Sequence, residues 1–392
     1  MISNGQIADA NEVKPTLYGQ FRDLIEKDKY AMLSRAMYMN NFIVDGFVSS
    51  NWVASSTGWN SIGVGGWTSP QLYWTTTNAS DLIGKTSTFP STISFGTGYV
   101  DYWICETIDE CNSSGGTAIN ASVWDVITDG EESTQTYDGS GNLALVAQET
   151  SGSGTNAQCQ VRTDNAVFDS THRYLAMKFS FSAGNSGGTS TTDSNSIEVG
   201  LHDGTDLAVM FSVSGGNSFT TSLRSAAAIT TLDSSAPFWH GDLRPRILAG
   251  GSTGIGTDYT LGSQSILLEA IYNPDASMVD VFLCGLYYKS VSVSAVSPIK
   301  LNIDVNAQRT AGGGTPLSQT TFSLDWVRRE KASPASSLAF NMSANNGSNY
   351  TSIGHETETA IANTGTQVKP KLTATISGSE YIHVRGYAAL LR

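Results

Sequence analysis

The chain is poor in charge, and poorest in positive charge. Only 15% of its 392 residues are Asp, Glu, Lys or Arg, and 22 Lys and Arg stand against 35 Asp and Glu, for a formal net charge of -13. Binding to nucleic acid depends on clustered Lys and Arg that neutralise phosphates. The composition therefore argues against a nucleic-acid partner.

Cysteines, histidines and long apolar runs are also scarce. The four cysteines are Cys105, Cys111, Cys159 and Cys284. Their spacing fits no zinc site, so we expect either four reduced thiols or a single Cys105–Cys111 disulfide. The five histidines fall in separate segments, and we expect neither a bound metal nor a cofactor. No run reaches the roughly 18 apolar residues of a membrane-spanning helix, so no membrane span is predicted.

The first forty-odd residues form the only long segment with a helical pattern. Apolar residues recur there at steps of three and four, which is typical of a one-sided amphipathic helix. We therefore predict that residues 1–43 form an α-helical anchor or oligomerisation segment. This helix either packs on its own β-rich body, or it bundles with copies of itself or inserts into a neighbour. The predicted interface residues are Leu17, Phe21, Leu24, Ile25, Met32 and Met39.

The rest of the chain has the pattern of short strands joined by turns rich in Gly, Ser and Asn. Since no crossover helices are visible, the strands should be antiparallel, as in a β-sandwich or jelly roll. The clearest hairpin has Asn273-Pro274-Asp275-Ala276 as its turn, because Pro fixes φ and Asn and Asp can bond the turn backbone. The clearest strand candidates are Tyr99–Cys105, Ser122–Ile127, Leu143–Glu149, Tyr174–Ser182, Ser196–His202, Leu207–Val213, Ser265–Tyr272, Met278–Cys284, Tyr287–Val293, Ile299–Val305 and Thr321–Arg328.

The fold class predicted is therefore mainly β, with three parts. Residues 44–331 form the sandwich body, and its first part, 44–140, is rich in aromatic residues. Residues 332–392, which begin with the linker-like run Ala332–Ser337, form a small C-terminal β module. This module is short for an independent core, so we expect it to pack on the body or on other copies.

Two stretches resemble known families. The opening residues Asn4-Gly5, Ala8-Asp9-Ala10 and Glu12-Val13, with Phe21 more loosely, resemble an N-terminal segment common in virion proteins of tailed phages and archaeal viruses. The sequence departs from that pattern at Lys14-Pro15. Residues 140–330 resemble a concanavalin A-like (laminin-G-like) jelly roll, in which a late strand ends in an aspartate and an aromatic residue, here Asp325-Trp326. That family holds lectins, carbohydrate-binding modules and some glycoside hydrolases, and it recurs in viral appendages.

Glu198 is the most prominent polar residue of the jelly-roll-like region. In the jelly-roll glycosidases that the run Ser196–His202 resembles, two carboxylates stand at alternate positions of one strand and point into the groove. Here the next alternate position after Glu198 is Gly200, and the alternate position after that is His202. Because the second carboxylate of that motif is missing, we predict no catalytic residue and do not expect an enzyme. Glu198 and His202 are candidate sugar contacts, and the alternative for Glu198 is a sheet-face residue bonded to a neighbouring side chain.

A dense aromatic segment supplies the other candidate sugar contacts. Trp52, Trp59, Trp67 and Trp74 are spaced by seven, eight and seven residues. Tryptophan rings stack on the apolar faces of sugars, but they are also enriched in cores and subunit interfaces. Both interpretations are consistent with this pattern.

These features and resemblances predict a structural protein of a tailed-virus particle. It would be an appendage or decoration subunit, anchored by its N-terminus to capsid or tail proteins of the same virion. The resemblance implies a homotrimer and a β-sandwich that binds host-surface glycan. Two alternatives stay open: a depolymerase that degrades polysaccharide on a jelly-roll scaffold, and a capsid cement protein without a ligand.

Overall fold

A computed structural model describes 18 segments of the chain. These are residues 42–45, 52–54, 59–62, 73–76, 79, 81–84, 86–129, 133–148, 156–185, 194–215, 222–225, 228–231, 258–260, 266–283, 286–293, 298–308, 318–353 and 359–391. The predicted N-terminal helix, with its stripe from Leu17 to Met39, lies outside them, except that a strand begins at Phe42.

The described residues form strands and no helix. In chain order the strands are β1 (Phe42–Asp45), β2 (Trp52–Ala54), β3 (Trp59–Ile62), β4 (Tyr73–Thr76), β5 (Asp81–Gly84), β6 (Ser87–Asp109), β7 (Trp124–Asp129), β8 (Ser133–Tyr137), β9 (Leu143–Gln148), β10 (Asn156–Thr163), β11 (Tyr174–Asn185), β12 (Ser194–His202), β13 (Leu207–Gly215), β14 (Ser222–Ser225), β15 (Ala228–Thr231), β16 (Asp258–Thr260), β17 (Ile266–Asn273), β18 (Met278–Leu283), β19 (Leu286–Ser292), β20 (Lys300–Gln308), β21 (Ser318–Glu330), β22 (Ser337–Ser343), β23 (Thr351–Ser352), β24 (Thr359–Thr375) and β25 (Tyr381–Leu391). None of the described segments is a helix long and apolar enough to cross a membrane.

The body is a sandwich of two antiparallel sheets, as predicted. One is a five-stranded sheet in the order β13-β12-β20-β10-β7. The other, here called the facing sheet, pairs its strands in the order β8-β9-β21-β11-β17-β18-β19. Apolar side chains from both sheets share one buried cluster, in which the rings of Phe179 and Phe211 lie 5.4 Å apart. The predicted strands and the antiparallel sandwich are therefore confirmed.

The predicted hairpin turn is also present. β17 and β18 pair antiparallel around Pro274–Ser277, and the Asn273 side chain accepts hydrogen bonds from the backbone N–H groups of Asp275 and Ala276. Ser277 closes the turn at a φ of 51°. The Asn273 side chain thus bonds the turn backbone, as the sequence pattern predicts.

The C-terminal strands form a second core together with strands from the aromatic-rich part of the chain. β24 pairs with β22, β5 and β6, and β25 pairs with β6 and β4. Leu82 and Ile93 pack there with Phe340, Leu372 and Ile382. The proposed boundary at 331/332 stays a prediction, but residues on its C-terminal side bury their apolar surface against strands from before residue 110.

Three of the four cysteines are free and buried, so the alternative of a Cys105–Cys111 disulfide is not realised. Cys105 lies in a cluster with Tyr174 and Trp326, whereas Cys111 lies in the sandwich core. The two thiols therefore belong to different apolar clusters. Cys284 lies outside the described residues.

The alternation along β20 yields a stability prediction. Ile303 is 0% exposed and lies between Val161 and Val199 on the neighbouring strands, whereas Asn306 lies on the opposite face. We expect Ile303→Ala to lower the free energy of unfolding by about 2–5 kcal/mol, because it leaves a cavity in the core. The matched variant Asn306→Ala should lower it by about 1 kcal/mol or less. Urea denaturation measures both values, and equal losses would contradict the assignment of the two faces.

Candidate functional site

β20 is the central strand of the five-stranded sheet, and its two faces differ completely. Leu301, Ile303 and Val305 are 0% exposed and belong to the sandwich core. The residues between them, Asn302 and Asp304, therefore point away from the core, because successive side chains of a strand alternate between its faces. The outer face of this sheet is consequently polar where the inner face is apolar.

Antiparallel pairing extends this polar face across all five strands. Direct partners in an antiparallel pair share a face of the sheet, with Cβ atoms about 5 Å apart. Glu198 on β12 is the direct partner of Asp304 on β20, so the register places two carboxylates side by side. The full row through this pair, from β13 to β7, is Ser212, Glu198, Asp304, Gln160 and Thr128.

Part of the outer face is buried, and the patch formed by Ser212, Glu198, Asp304 and Asn302 is here called the recess. Ser212 and Asn302 are 0% exposed although both lie on the side that faces away from the core. Within the described part of the chain, Ser212 Oγ and Asn302 Nδ2 are buried and have no hydrogen-bond partner. Such orphaned donors are rare in folded proteins, because each costs about 1–3 kcal/mol of stability. They show that the floor of the recess keeps unused hydrogen-bonding capacity.

Asp304 is the carboxylate most perturbed by this recess. Burial raises its pKa above the usual value, hydrogen bonds from Gln158 oppose that shift, and the charge of Glu198 adds to it. Gln158 Nε2 lies 3.0 Å from Asp304 Oδ1 and 2.9 Å from Oδ2, and so fixes the orientation of the carboxyl group. Asp304 thus combines an elevated pKa with a defined position.

A second polar row lies next to this pair. Asn302 Oδ1 accepts hydrogen bonds from Gln160 Nε2 at 3.0 Å and from Arg162 Nε at 3.3 Å. Arg162 in turn is the direct partner of Asp125 at the edge of the sheet. The amides and the guanidinium group therefore form a connected network beside the carboxylates.

His202 lies one row further along the same face, opposite Lys300. Its Nδ1 accepts a hydrogen bond from the backbone N–H of Gly204 at 2.9 Å, so the ring proton of the neutral form resides on Nε2. Burial lowers the pKa of His202, and the positive charge of Arg162 lowers it further. His202 is consequently a neutral hydrogen-bond donor at neutral pH.

The acidic turn after His202 has a structural role. Asp203 is buried, and its Oδ1 accepts hydrogen bonds from the backbone N–H groups of Thr205 and Asp206. Within the described segments, no three His, Cys, Asp or Glu side chains converge as metal ligands.

The residues predicted from sequence fall in three places. Glu198 and His202 lie on one strand and one face, two rows apart. Trp52, Trp59 and Trp74 lie on β2, β3 and β4, which pair with β5 and β25 rather than with the five-stranded sheet. Trp67 and the six predicted anchor residues lie outside the described segments. The roles proposed for these residues stay predictions.

Asp304, the partner of Glu198, is not among the site residues predicted from the sequence. The family pattern places the second carboxylate on the same strand, whereas the structure supplies it from the neighbouring strand. The alternating run Leu301-Asn302-Ile303-Asp304-Val305 already showed that Asp304 faces away from the core. It did not show which strand lies beside it.

Two adjacent carboxyl groups with different environments can carry out acid–base chemistry on a glycosidic bond. One must be protonated to donate to the leaving oxygen, and the other must be ionised to attack or to activate water. The raised pKa of Asp304 suits the first role, and the register places Glu198 where a second carboxyl group is needed.

Comparison with solved structures finds β-sandwich proteins at low identity. An endo-β-galactosidase from Clostridium perfringens that releases GlcNAcα1-4Gal has a TM-score of 0.37 and 10% identity, over 65% of this chain and 72% of that one. An endo-1,3-β-glucanase from Streptomyces sioyaensis has a TM-score of 0.33 and 11% identity, over 60% and 97%. The Emp46p carbohydrate recognition domain has a TM-score of 0.32 and 11% identity, over 57% and 95%. No protein-family model and no curated sequence matches the chain.

One expectation is corrected, and glycosidases are among the solved structures found. The prediction that the chain is not an enzyme is wrong as an exclusion, because a second carboxylate, Asp304, lies beside Glu198. It rested on the absence of a paired carboxylate motif within one strand, which does not exclude a pair formed by two strands. At these identities the likeness concerns the fold alone, and it transfers neither a substrate nor a residue role to this chain.

The two influences on Asp304 can be separated by substitution. Gln158→Leu should raise the pKa of Asp304 further, because it removes hydrogen bonds that favour the ionised carboxyl group. Glu198→Gln should lower that pKa, because it removes a neighbouring negative charge. Carbon-13 NMR titration of the Asp304 carboxyl carbon measures both shifts.

The exposed turn variant Asp275→Asn serves as the control for this titration and should leave the pKa of Asp304 unchanged. Shifts of the same sign in Gln158→Leu and Glu198→Gln would contradict the proposed environment.

Proposed function

We propose that the chain binds a polysaccharide across the outer face of the five-stranded sheet and hydrolyses it between Glu198 and Asp304. The observation that carries this proposal is the direct pairing of these two carboxylates in a polar recess, where burial raises the pKa of Asp304. It corresponds to the depolymerase alternative of the sequence interpretation.

The shape and chemistry of the face support a glycan as the ligand. Neighbouring strands lie about 4.8 Å apart, so a row across five strands extends over roughly 19 Å, enough for several sugar rings. The central row presents hydroxyl, carboxylate and amide groups, and these pair well with sugar hydroxyls. The unpaired Ser212 Oγ and Asn302 Nδ2 flank the carboxylates, where a ligand or water would satisfy them.

The reaction would use Asp304 as the acid and Glu198 as the nucleophile. Asp304 donates its proton to the glycosidic oxygen while Glu198 attacks the anomeric carbon, which breaks the C–O bond and forms a glycosyl ester. Water, deprotonated by Asp304, then cleaves this ester and restores both carboxyl groups. Direct cross-strand partners are close enough for the roughly 5–5.5 Å separation of retaining enzymes, rather than the 6.5–9.5 Å of inverting ones. We therefore propose retention of the anomeric configuration.

The pH dependence follows from the sign of the Asp304 shift. Since the acid must be protonated, activity should fall as the pH rises through the elevated pKa of Asp304.

The proposed setting of this activity is the surface of a virus particle. Its support is the resemblance of Asn4–Val13 to an N-terminal segment of virion proteins, together with the amphipathic pattern that follows. In this setting the N-terminal segment would join capsid or tail proteins, and the chain would act as a homotrimer on host-surface glycan.

Loss of either carboxylate tests the hydrolytic proposal. Glu198→Gln and Asp304→Asn should each lower the release of reducing ends from a polysaccharide panel by about a hundredfold or more, because each removes a group that acts in the reaction. Asp275→Asn, which changes an exposed carboxylate outside the recess, is the matched control. Proton NMR of the first product should show the retained anomer. Unchanged activity in both recess variants would overturn the assignment.

Deletion of residues 1–40, which leaves β1 intact, tests the location. We expect the truncated chain to be lost from purified particles while it keeps its activity in solution, because the anchor and the recess lie in separate parts of the chain. Incorporation of the truncated chain at the full-length level would contradict the anchoring role.

A further inference from the structure

One end of the recess carries two cations that the hydrolytic reaction does not use. Arg162 lies on β10 and Lys300 lies on β20, each within two positions of Asn302 in the sheet register. Arg162 is the direct partner of Asn302, so Arg162 and Lys300 are diagonal neighbours on one face. Such neighbours have Cβ atoms about 7–8 Å apart or somewhat less, close enough for both side chains to reach one group.

The two cations share one counter-charge, Asp125, which is the direct cross-strand partner of Arg162 and interacts with it electrostatically. Arg162 makes a hydrogen bond through Nε to Asn302 Oδ1, and it has no ion pair with any described residue. Lys300 Nζ lies 3.9 Å from Asp125 Oδ2, and these side chains are 32% and 48% exposed. A long, exposed pair of this kind contributes little. The guanidinium group therefore retains most of its five donors for a ligand.

Apart from Asp125, the titratable groups near these cations form no ion pair with either of them within the described part of the chain. His202 is the direct partner of Lys300, and both burial and Arg162 lower its pKa. Asp203 Oδ1 is bound to the turn backbone, and Asp206 is exposed on that turn. Among the described residues, Asp125 is thus the one carboxylate that faces Lys300 within 4 Å.

A second observation marks the same place as a binding site. Asn302 is 0% exposed, and its Nδ2 has no partner among the described residues, while its Oδ1 is held by Gln160 and Arg162. Because Gln160 and Arg162 donate to Oδ1, the Asn302 amide group cannot rotate to exchange its oxygen and nitrogen without losing these two hydrogen bonds. A buried donor beside a guanidinium group that keeps most of its N–H donors unused favours an acceptor-rich, negatively charged occupant.

We propose that Arg162, Lys300 and Asn302 form a subsite for an anionic substituent of the glycan, a carboxylate or a sulfate group. This inference rests on the proposed function and narrows its substrate class to acidic polysaccharides. The subsite lies one to two rows from the Glu198–Asp304 pair, so it holds a sugar unit next to the cleaved bond. An arginine fork binds planar or tetrahedral oxyanions through two parallel hydrogen bonds, and the lysine adds a point charge.

Matched acidic and neutral glycans test the subsite. The full chain is titrated with oligogalacturonates and their carboxyl-reduced forms, and with sulfated galactan oligosaccharides and their desulfated forms. The acidic member of at least one pair should bind about tenfold or more tightly, since a charged hydrogen-bonded contact is lost in the neutral one. The pair that discriminates identifies carboxylate or sulfate as the source of charge.

Substitution assigns the preference to residues. Arg162→Gln and Lys300→Gln should each reduce the acidic-to-neutral affinity ratio several-fold and weaken its dependence on salt. Lys369→Gln removes the same charge from β24 in the C-terminal part of the chain and should leave the ratio unchanged.

Three outcomes would overturn the subsite. Neutral and acidic members that bind equally would refute it while the hydrolytic proposal stands. An acidic-to-neutral affinity ratio that is unchanged in both Arg162→Gln and Lys300→Gln would place the preference for acidic glycans outside this subsite. Absence of binding to every member would refute the subsite together with the glycan-directed function.

Discussion

The period-two alternation of β20 is the constraint on which the sandwich and the candidate site both depend. Every second side chain of this central strand is apolar and fully buried, which fixes the face that it turns toward the other sheet. A shift of one residue would expose Ile303 and bury Asp304, so the core strongly selects one register. The same register places Asp304 beside Glu198. Packing on the inner face thus determines the chemistry of the outer face.

The recess carries features that do not favour stability. Ser212 Oγ and Asn302 Nδ2 are buried donors without partners among the described residues, and the Asp304 carboxyl group has a raised pKa. All three destabilise the folded state relative to an apolar or fully paired face. The sandwich core is large enough to offset these losses. Local destabilisation supported by a rigid scaffold is typical of binding and catalytic sites. These features are the reason for the proposal that a ligand occupies the polar row.

The sequence predicts the strands well because their signal is local. The run Ile266–Tyr272, the turn at Asn273 and the antiparallel layering all follow from alternation and turn chemistry. Pairing between distant strands has no such local signal. Glu198 and Asp304 are more than a hundred positions apart, and only the register of β12 on β20 brings them together. The family pattern gave the wrong expectation here, because it places both carboxylates on one strand.

The most direct test of the central claim is a crystal structure of the native protein with a thio-linked analogue of an oligosaccharide that it cleaves. We expect a sugar chain along the row from Ser212 to Thr128, with the anomeric carbon beside Glu198 and the linking sulfur within hydrogen-bonding distance of Asp304. A ligand bound instead along β2, β3 and β4, at Trp52, Trp59 and Trp74, with an empty recess, would contradict it.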